Sequence, residues 1–279
     1  MKIIHSISAM QTWSLNQRTK NKCIALVPTM GALHEGHLSL IRQAKKLADF
    51  VVVSIFVNPT QFGPKEDFSS YPRPFQKDKK LCAIEDVDVL FVPKPEDMYS
   101  SAHTTWITED SLSSKLCGLS RPGHFRGVCT VVLKLLNIVL PNVAIFGQKD
   151  AQQALIIKRM QKDLNIPTKI VLHPIVREKD GLAMSSRNAY LSTEERKQAL
   201  VINQALKQAK FHIKSGKTEK EVKVLLTKEI SSMPLAKIDY IEMVDKETLN
   251  PIKKFIRGKT LIAVAVFFGK TRLIDNVIL

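Results

Sequence analysis

Ile24-Ala25-Leu26-Val27-Pro28-Thr29-Met30-Gly31-Ala32-Leu33-His34-Glu35-Gly36-His37-Leu38-Ser39-Leu40 reads as a strand, a tight turn and the start of a helix. The apolar run Ile24 to Val27 stops at Pro28, which has no N–H for a sheet ladder, so the strand is expected to end there. Gly31 and Gly36 permit backbone conformations in which a ligand can come close. The chain then restarts as a helix, whose first N–H groups lack intrahelical partners and carry a partial positive charge. A phosphate cradled by those N–H groups is the expectation. His34 and His37, three residues apart, fall on one face of the first turn and aim at the same anion.

Taken alone, the pair is equally compatible with two ordinary loop histidines. A zinc protease helix needs His-Glu-x-x-His, and the chain has His-Glu-Gly-His. A Walker loop also fails, because Gly36 is followed by His37-Leu38, and the Gly-Lys-Thr triplets at Gly216, Gly258 and Gly269 lack the upstream glycine. The remaining pattern, His-x-Gly-His, resembles the nucleotidyltransferase superfamily related to class I aminoacyl-tRNA synthetases. The resemblance implies that the imidazoles hold ATP phosphates while the α-phosphorus is attacked.

The bulk properties agree with a soluble enzyme. The chain has 279 residues, enough for two cores, and 44% of them are hydrophobic. Its 42 basic against 26 acidic residues give a net charge of +16, which would suit a polyanionic partner. The lysines are scattered, notably from Lys197 to Lys228, without interleaved aromatics, so a solvated basic surface is preferred over a nucleic-acid site. Cys23, Cys82, Cys117 and Cys129 form no Cys-x-x-Cys pair and are read as reduced, buried thiols. The longest apolar run, Leu261 to Phe268, falls far short of the ~20 residues of a membrane span. The expectation is a cytoplasmic protein with no membrane contact.

Further along, Phe50 to Val57 is apolar on both faces, as a central parallel strand should be. It ends at Asn58-Pro59-Thr60-Gln61-Phe62, and ligands gather at strand carboxyl ends, so Asn58 and Gln61 are expected beside the histidine loop. A helix from Phe75 to Glu85 and a strand from Val87 to Val92 follow, then a possible short strand at Thr104 to Thr108. A long core helix follows Arg121-Pro122-Gly123-His124-Phe125-Arg126-Gly127, where His124 and Arg126 could meet substrate, a partner subunit or only solvent. The strand Asn142 to Phe146 runs into Gly147-Gln148-Lys149-Asp150, and Lys149 and Gln153, four apart, are expected on one helix face suited to an anion. A strand at Lys169 to Leu172 precedes Met184-Ser185-Ser186-Arg187, where hydroxyls beside an arginine suit a triphosphate. The βαβ alternation implies a doubly wound, parallel, Rossmann-like α/β sheet over residues 1–175. Residues 176–279, with a helix pair (Thr193 to Lys214, Thr218 to Ser231) and three strands, are expected to form a smaller α+β lid carrying the Ser-Ser-Arg loop.

Seven segments, in order, resemble the pantoate–β-alanine ligase (pantothenate synthetase) family. They are 28–37, 58–62, 71–73 (Tyr-Pro-Arg), 125–128 (Phe-Arg-Gly-Val), 147–150, 184–188 and 271–276 (Thr-Arg-Leu-Ile-Asp-Asn). The resemblance implies an ATP-dependent ligase that joins pantoate to β-alanine through an acyl adenylate, as a homodimer with Mg²⁺ and no nucleic acid. Carried over by position, Met30, Gly31, Ala32, Leu33, His34, Glu35, Gly36 and His37 would bind ATP, with His37 the acid-type catalytic group and His34 supporting the phosphates. Gly147, Gln148, Lys149, Asp150, Val176, Met184, Ser185, Ser186 and Arg187 would complete the nucleotide pocket. Lys149 and Arg187 would act in catalysis and Asp150 on the metal. Gln61, Gln153 and Asn58 would hold pantoate, Gln61 also lying at β-alanine. One departure is Phe267, in Val266-Phe267-Phe268-Gly269, where an arginine is expected; it affects a C-terminal contact, not the chemistry. Two rivals remain: transfer of AMP or CMP to a phosphorylated acceptor, which the neutral Gln61 and Gln153 argue against, and nucleic-acid binding with a vestigial pocket.

Overall fold

A computed structural model describes residues 1–64 and 66–279. By internal contacts the chain divides into two compact units. The first is Met1–Gln148 with Gln152–Pro174, and the second is Lys149–Ala151 with Ile175–Leu279.

In the first unit the chain runs β1 (Lys2–Ile4), α1 (Ile7–Arg18), β2 (Ile24–Thr29), α2 (Glu35–Lys45), β3 (Phe50–Ile55), α3 (Phe75–Ile84), β4 (Val89–Phe91), the short α4 (Pro95–Met98) and α5 (Cys117–Ser120), α6 (His124–Val139), β5 (Val143–Gly147), α7 (Ala151–Asp163) and β6 (Lys169–His173). The six strands form one parallel sheet in the order β1-β4-β3-β2-β5-β6. From β2 the chain winds to one side through β3 and β4, then returns to place β5 and β6 on the other. The carboxyl ends of β2, β3 and β5 therefore surround the point where the winding reverses, the usual ligand position in such sheets. Both faces are covered, which is why β2 and β3 are apolar without alternation. Ala25, Val27, Val51 and Val53 pack with Leu33, Leu38 and Ile41 around α2, and α1 and α6 also contact β2.

The boundaries differ from expectation at several points. Strand β2 continues through Pro28 to Thr29. Thr29 O accepts from Phe56 N (3.1 Å), so Thr29 faces β3 and Pro28 faces the β5 side, where pairing ended at Leu26. The missing N–H therefore breaks no ladder bond. Strand β1 and helix α1 were not expected, although Ser6 caps α1 by accepting from Ala9 N. Thr104 to Thr108 is not a strand. Its β-branched residues find no neighbouring strand, and Ile107 N donates instead to Thr130 Oγ1. Of the four free cysteines, Cys82, Cys117 and Cys129 are buried and Cys23 is only half-buried. Burial pushes the Cys82 and Cys129 thiols up to about 12, so neither is reactive near neutrality.

The second unit runs α8 (Thr193–Gln198), α9 (Val201–Lys214), α10 (Glu219–Ser231), β7 (Ala236–Asp245), β8 (Thr260–Phe268) and β9 (Thr271–Ile278). The expected single helix from Thr193 is broken between Gln198 and Val201. The strands form an antiparallel sheet, β7-β8-β9, and α9 and α10 lay Ile202, Leu206, Val222 and Leu226 against Ile241, Ile262, Val264 and Val266. Phe267 pairs across the ladder with Arg272, whose guanidinium bonds Asp239. Among the described residues no helix is long and apolar enough to cross a membrane.

Candidate active site

The turn after β2 holds two consecutive left-handed residues, Gly31 (φ 80) and Ala32 (φ 50), and ends at His34, the N-cap of α2. Its N–H groups are not the open cradle the sequence led us to expect. Gly31 N donates to Thr29 Oγ1 (3.1 Å), Ala32 N and Leu33 N donate to the two carboxylate oxygens of Asp78 (both 2.8 Å), and Gly36 N donates to His34 Nδ1 (3.1 Å). His34 N donates to His37 Nδ1 (3.3 Å). The turn spends its own donors on holding its shape.

That internal bonding fixes the imidazoles. Each Nδ1 accepts a backbone N–H, so in the neutral ring the proton sits on Nε2. The rings lie with centroids 4.1 Å apart and planes at 37°. Two Nε2–H donors side by side, at the N-terminus of an 11-residue helix, suit the oxygens of a polyphosphate. The donors at this turn that would suit a phosphate are therefore ring N–H groups, where backbone N–H groups were expected.

Asp78 on α3 is the anchor of this turn and was not recognisable in the sequence, its partners lying 45 and 46 residues away. It is buried, and desolvation raises its pKa above the ordinary carboxylate value although the two N–H bonds pull the other way. The ionised form is thus held in the fold at a net cost that grows as pH rises through the raised pKa and is absent at low pH. Asp78→Asn removes that cost but sets an amide donor against one of the two N–H groups. We expect the melting temperature of Asp78→Asn, relative to the parent, to rise from pH 4 to pH 8 while its KM for ATP increases about tenfold. Parallel melting curves that never converge or cross would contradict this account.

After β3, Asn58 caps the turn Pro59–Gln61. Asn58 Nδ2 donates to Gln61 Oε1 and to Gly127 O (both 3.1 Å), and Gln61 Nε2 points at Met30 Sδ (3.0 Å). Sulfur is a weak acceptor, so a ligand oxygen can displace it. His124, left open between substrate and surface roles, is buried, and its Nδ1 bonds the Gln61 carbonyl (2.8 Å). Arg121 stands at His124 Nε2 (3.1 Å) and holds Glu66 with both Nε (2.7 Å) and an Nη (2.6 Å). Gln61 is thus fixed at both its side chain and its backbone. Arg126 lies over the Trp106 ring (4.7 Å), and Arg73 is tied to the carbonyls of Tyr71 and Phe68.

Lys149 lies in the 3₁₀ turn Gln148–Asp150 ahead of α7, and Gln153 lies in α7 itself. Lys149 also clusters with the second unit and Gln153 with the first. Gln153 is half-buried on α7; its neighbour Gln152 is fully engaged, accepting from Cys117 N and donating to Leu112 O and Lys115 O. Lys149 Nζ lies 3.8 Å from Asp150 Oδ1. In the second unit, Met184 N bonds Val176 O (3.0 Å), and Ser185 caps the turn Ser186–Tyr190 by accepting from Arg187 N (3.3 Å). Lys149, Ala183 and Ser185 line one small cavity of this unit. Among the described residues no group of three or more His, Cys, Asp or Glu side chains is arranged to hold a metal ion. A half-exposed Asp150 alone fits Mg²⁺ only in the mode where phosphates and water supply most ligands.

The sequence profile of the Pantoate-beta-alanine ligase family matches residues 2–278. The pantothenate synthetase of Pseudothermotoga lettingae is 58% identical over 93% of this chain and 92% of its own, and that of Thermotoga petrophila is 55% identical over all of both. Among solved structures, pantothenate synthetase from Thermus thermophilus aligns with a TM-score of 0.95 at 41% identity over 99% of each chain. The pantoate-beta-alanine ligase of Francisella tularensis, complexed with beta-gamma ATP and beta-alanine, aligns at 0.84 and 41% identity over 100% of this chain and 97% of its own. With a profile match that runs from the second residue to the last but one, over the same turn, capped histidines and held glutamine, the chain belongs to the pantoate–β-alanine ligase family.

Proposed function

We propose that the protein condenses (R)-pantoate with β-alanine to pantothenate, for coenzyme A synthesis, as a cytoplasmic homodimer. The observation that carries this reading is the pair of imidazoles whose Nδ1 atoms accept backbone caps, which puts the proton of each neutral ring on Nε2 as a donor for phosphate, in a chain of this family.

The chemistry answers a simple difficulty: a carboxylate does not acylate an amine at neutral pH. A pantoate carboxylate oxygen attacks the α-phosphorus of ATP, the bond to the β-phosphate oxygen breaks, and pyrophosphate leaves. The β-alanine nitrogen then attacks the acyl carbon, the bond to AMP breaks, and the nitrogen gives up its proton. No protein atom is covalently bonded in either step. The residues act by position and charge: His34 and His37 donate from Nε2 to phosphate oxygens, His37 as the acid-type group. Lys149 and Arg187 supply fixed positive charge as negative charge spreads over the phosphates. Gln61, Asn58 and Gln153 serve pantoate, Gln61 giving up its contact with Met30 Sδ and also facing β-alanine. Residues 30–37, 147–150, 176 and 184–187 form the nucleotide sites. Mg²⁺, held by ATP and Asp150, would neutralise phosphate charge when bound. Residues 176–279 serve as a lid that excludes water from the adenylate.

The test is pyrophosphate release from ATP and Mg²⁺ with D-pantoate, with and without β-alanine. A stoichiometric burst without the amine, becoming steady turnover with AMP and pantothenate when it is added, is expected. Absence of pyrophosphate under both conditions would overturn the reading.

A further inference from the structure

The motif Thr271-Arg272-Leu273-Ile274-Asp275-Asn276 stands apart from the chemistry proposed above, yet its last two residues are buried in strand β9. A buried amide or carboxylate is retained where it bonds something. Asn276 Nδ2 donates to the backbone carbonyl of Lys149 (2.9 Å), 127 residues earlier in the chain and inside the same unit. Asp275 Oδ1 accepts the N–H of Asn276 itself (2.7 Å), which fixes the strand at that residue. The same carboxylate takes two bonds from Arg177 (2.6 and 3.0 Å), and Arg177 also donates to Gly181 O (3.1 Å). Arg177 and Ala183 form the bridge that closes the stem before Ser185.

We infer that Asn276 is a positioning residue for Lys149. The 3₁₀ turn that carries Lys149 is three residues long and has little rigidity of its own. A hydrogen bond from a strand paired along its whole length to β8 holds the Lys149 peptide and so sets where Nζ begins its reach. On this inference Asn276 acts through Lys149, whose backbone carbonyl it holds. The inference rests on the role of Lys149 proposed above.

The test is a double-mutant cycle read by pantoate-dependent exchange of labelled pyrophosphate into ATP, which isolates the first half-reaction. Asn276→Ala should lower the exchange rate about 10²-fold, the cost of a misplacement on the order of 1 Å, with KM for β-alanine in the overall reaction changed less than about twofold. In a Lys149→Ala background the same substitution should cost less than about threefold, because the group it positions is gone. Equal losses in both backgrounds would overturn the inference, since a merely structural residue would cost the same in each. Should Asn276→Ala not fold, Asn276→Asp, of equal size but unable to donate to the Lys149 carbonyl when ionised, is judged by the same criterion. Failure of the parent protein to exchange pyrophosphate would instead overturn the proposed function, a separate result.

Discussion

Replacing Lys149 by alanine is expected to lower pantoate-dependent pyrophosphate release by about 10²–10³-fold while leaving the melting temperature within a few degrees of the parent, because one preorganised charge at a transition state carries that much. Lys149 is the cleaner probe of the charged contacts. Its side chain is about a fifth exposed, and its ion pair with Asp150 is long, at 3.8 Å. His37 is less clean, since its ring also caps α2 through Nδ1, and His37→Ala would combine a lost phosphate contact with a lost cap worth about 1 kcal/mol. The comparison is informative: His37→Ala should lose rate and stability together, and Lys149→Ala rate alone. Turnover within threefold of the parent in Lys149→Ala would remove Lys149 from the chemistry, and with it the reason for Asn276.

What the sequence revealed follows the range of the interactions. The strand–turn–helix at Ile24 to Leu40 was legible because it is built from neighbours: an apolar run, a proline, two glycines and two histidines. Even there the use of the turn's N–H groups within the fold is invisible locally, since two of them go to Asp78 on another helix. Pro28 misled because its effect depends on which neighbouring strand it faces, and that is decided by pairing. The Thr104 to Thr108 segment misled for a related reason, as β-branched residues make a strand only where a partner edge exists.

The residues that hold the site were the least visible. His124 acts on a carbonyl 63 residues away and Asn276 on one 127 residues away. Local spacing contains no trace of either bond. The available signal was chemical: a histidine and two basic residues around glycines at the head of a core helix, and an Asp-Asn pair between the apolar residues Leu273-Ile274 and Val277-Ile278 of a strand. Groups that expensive to bury indicate a partner, though not which one.

The same logic gives the second large effect, at Gly127. A Cβ there would lie 2.4 Å from Thr60 O, 2.6 Å from Thr60 C and 2.8 Å from Gln61 N, all backbone atoms that no rotamer change can move. Gly127 also offers its carbonyl to Asn58 Nδ2, the group that holds Gln61 Oε1. Gly127→Ala must therefore push the Pro59–Gln61 turn away from α6 and carry Gln61 with it. Overpacking of this kind costs about 1–3 kcal/mol, and misplacement of Gln61 should raise KM for pantoate about 10–10²-fold with KM for ATP changed less than about threefold. Gly123, at the start of the same helix, separates the two consequences. Its φ of 80 strains any side chain, but a Cβ there meets nothing within 4 Å, so Gly123→Ala should lose about 1 kcal/mol of stability and leave pantoate binding alone. A Gly127→Ala protein whose KM for pantoate matched that of Gly123→Ala would mean that contact with α6 does not set the position of Gln61, and the pantoate site would have to be sought without it.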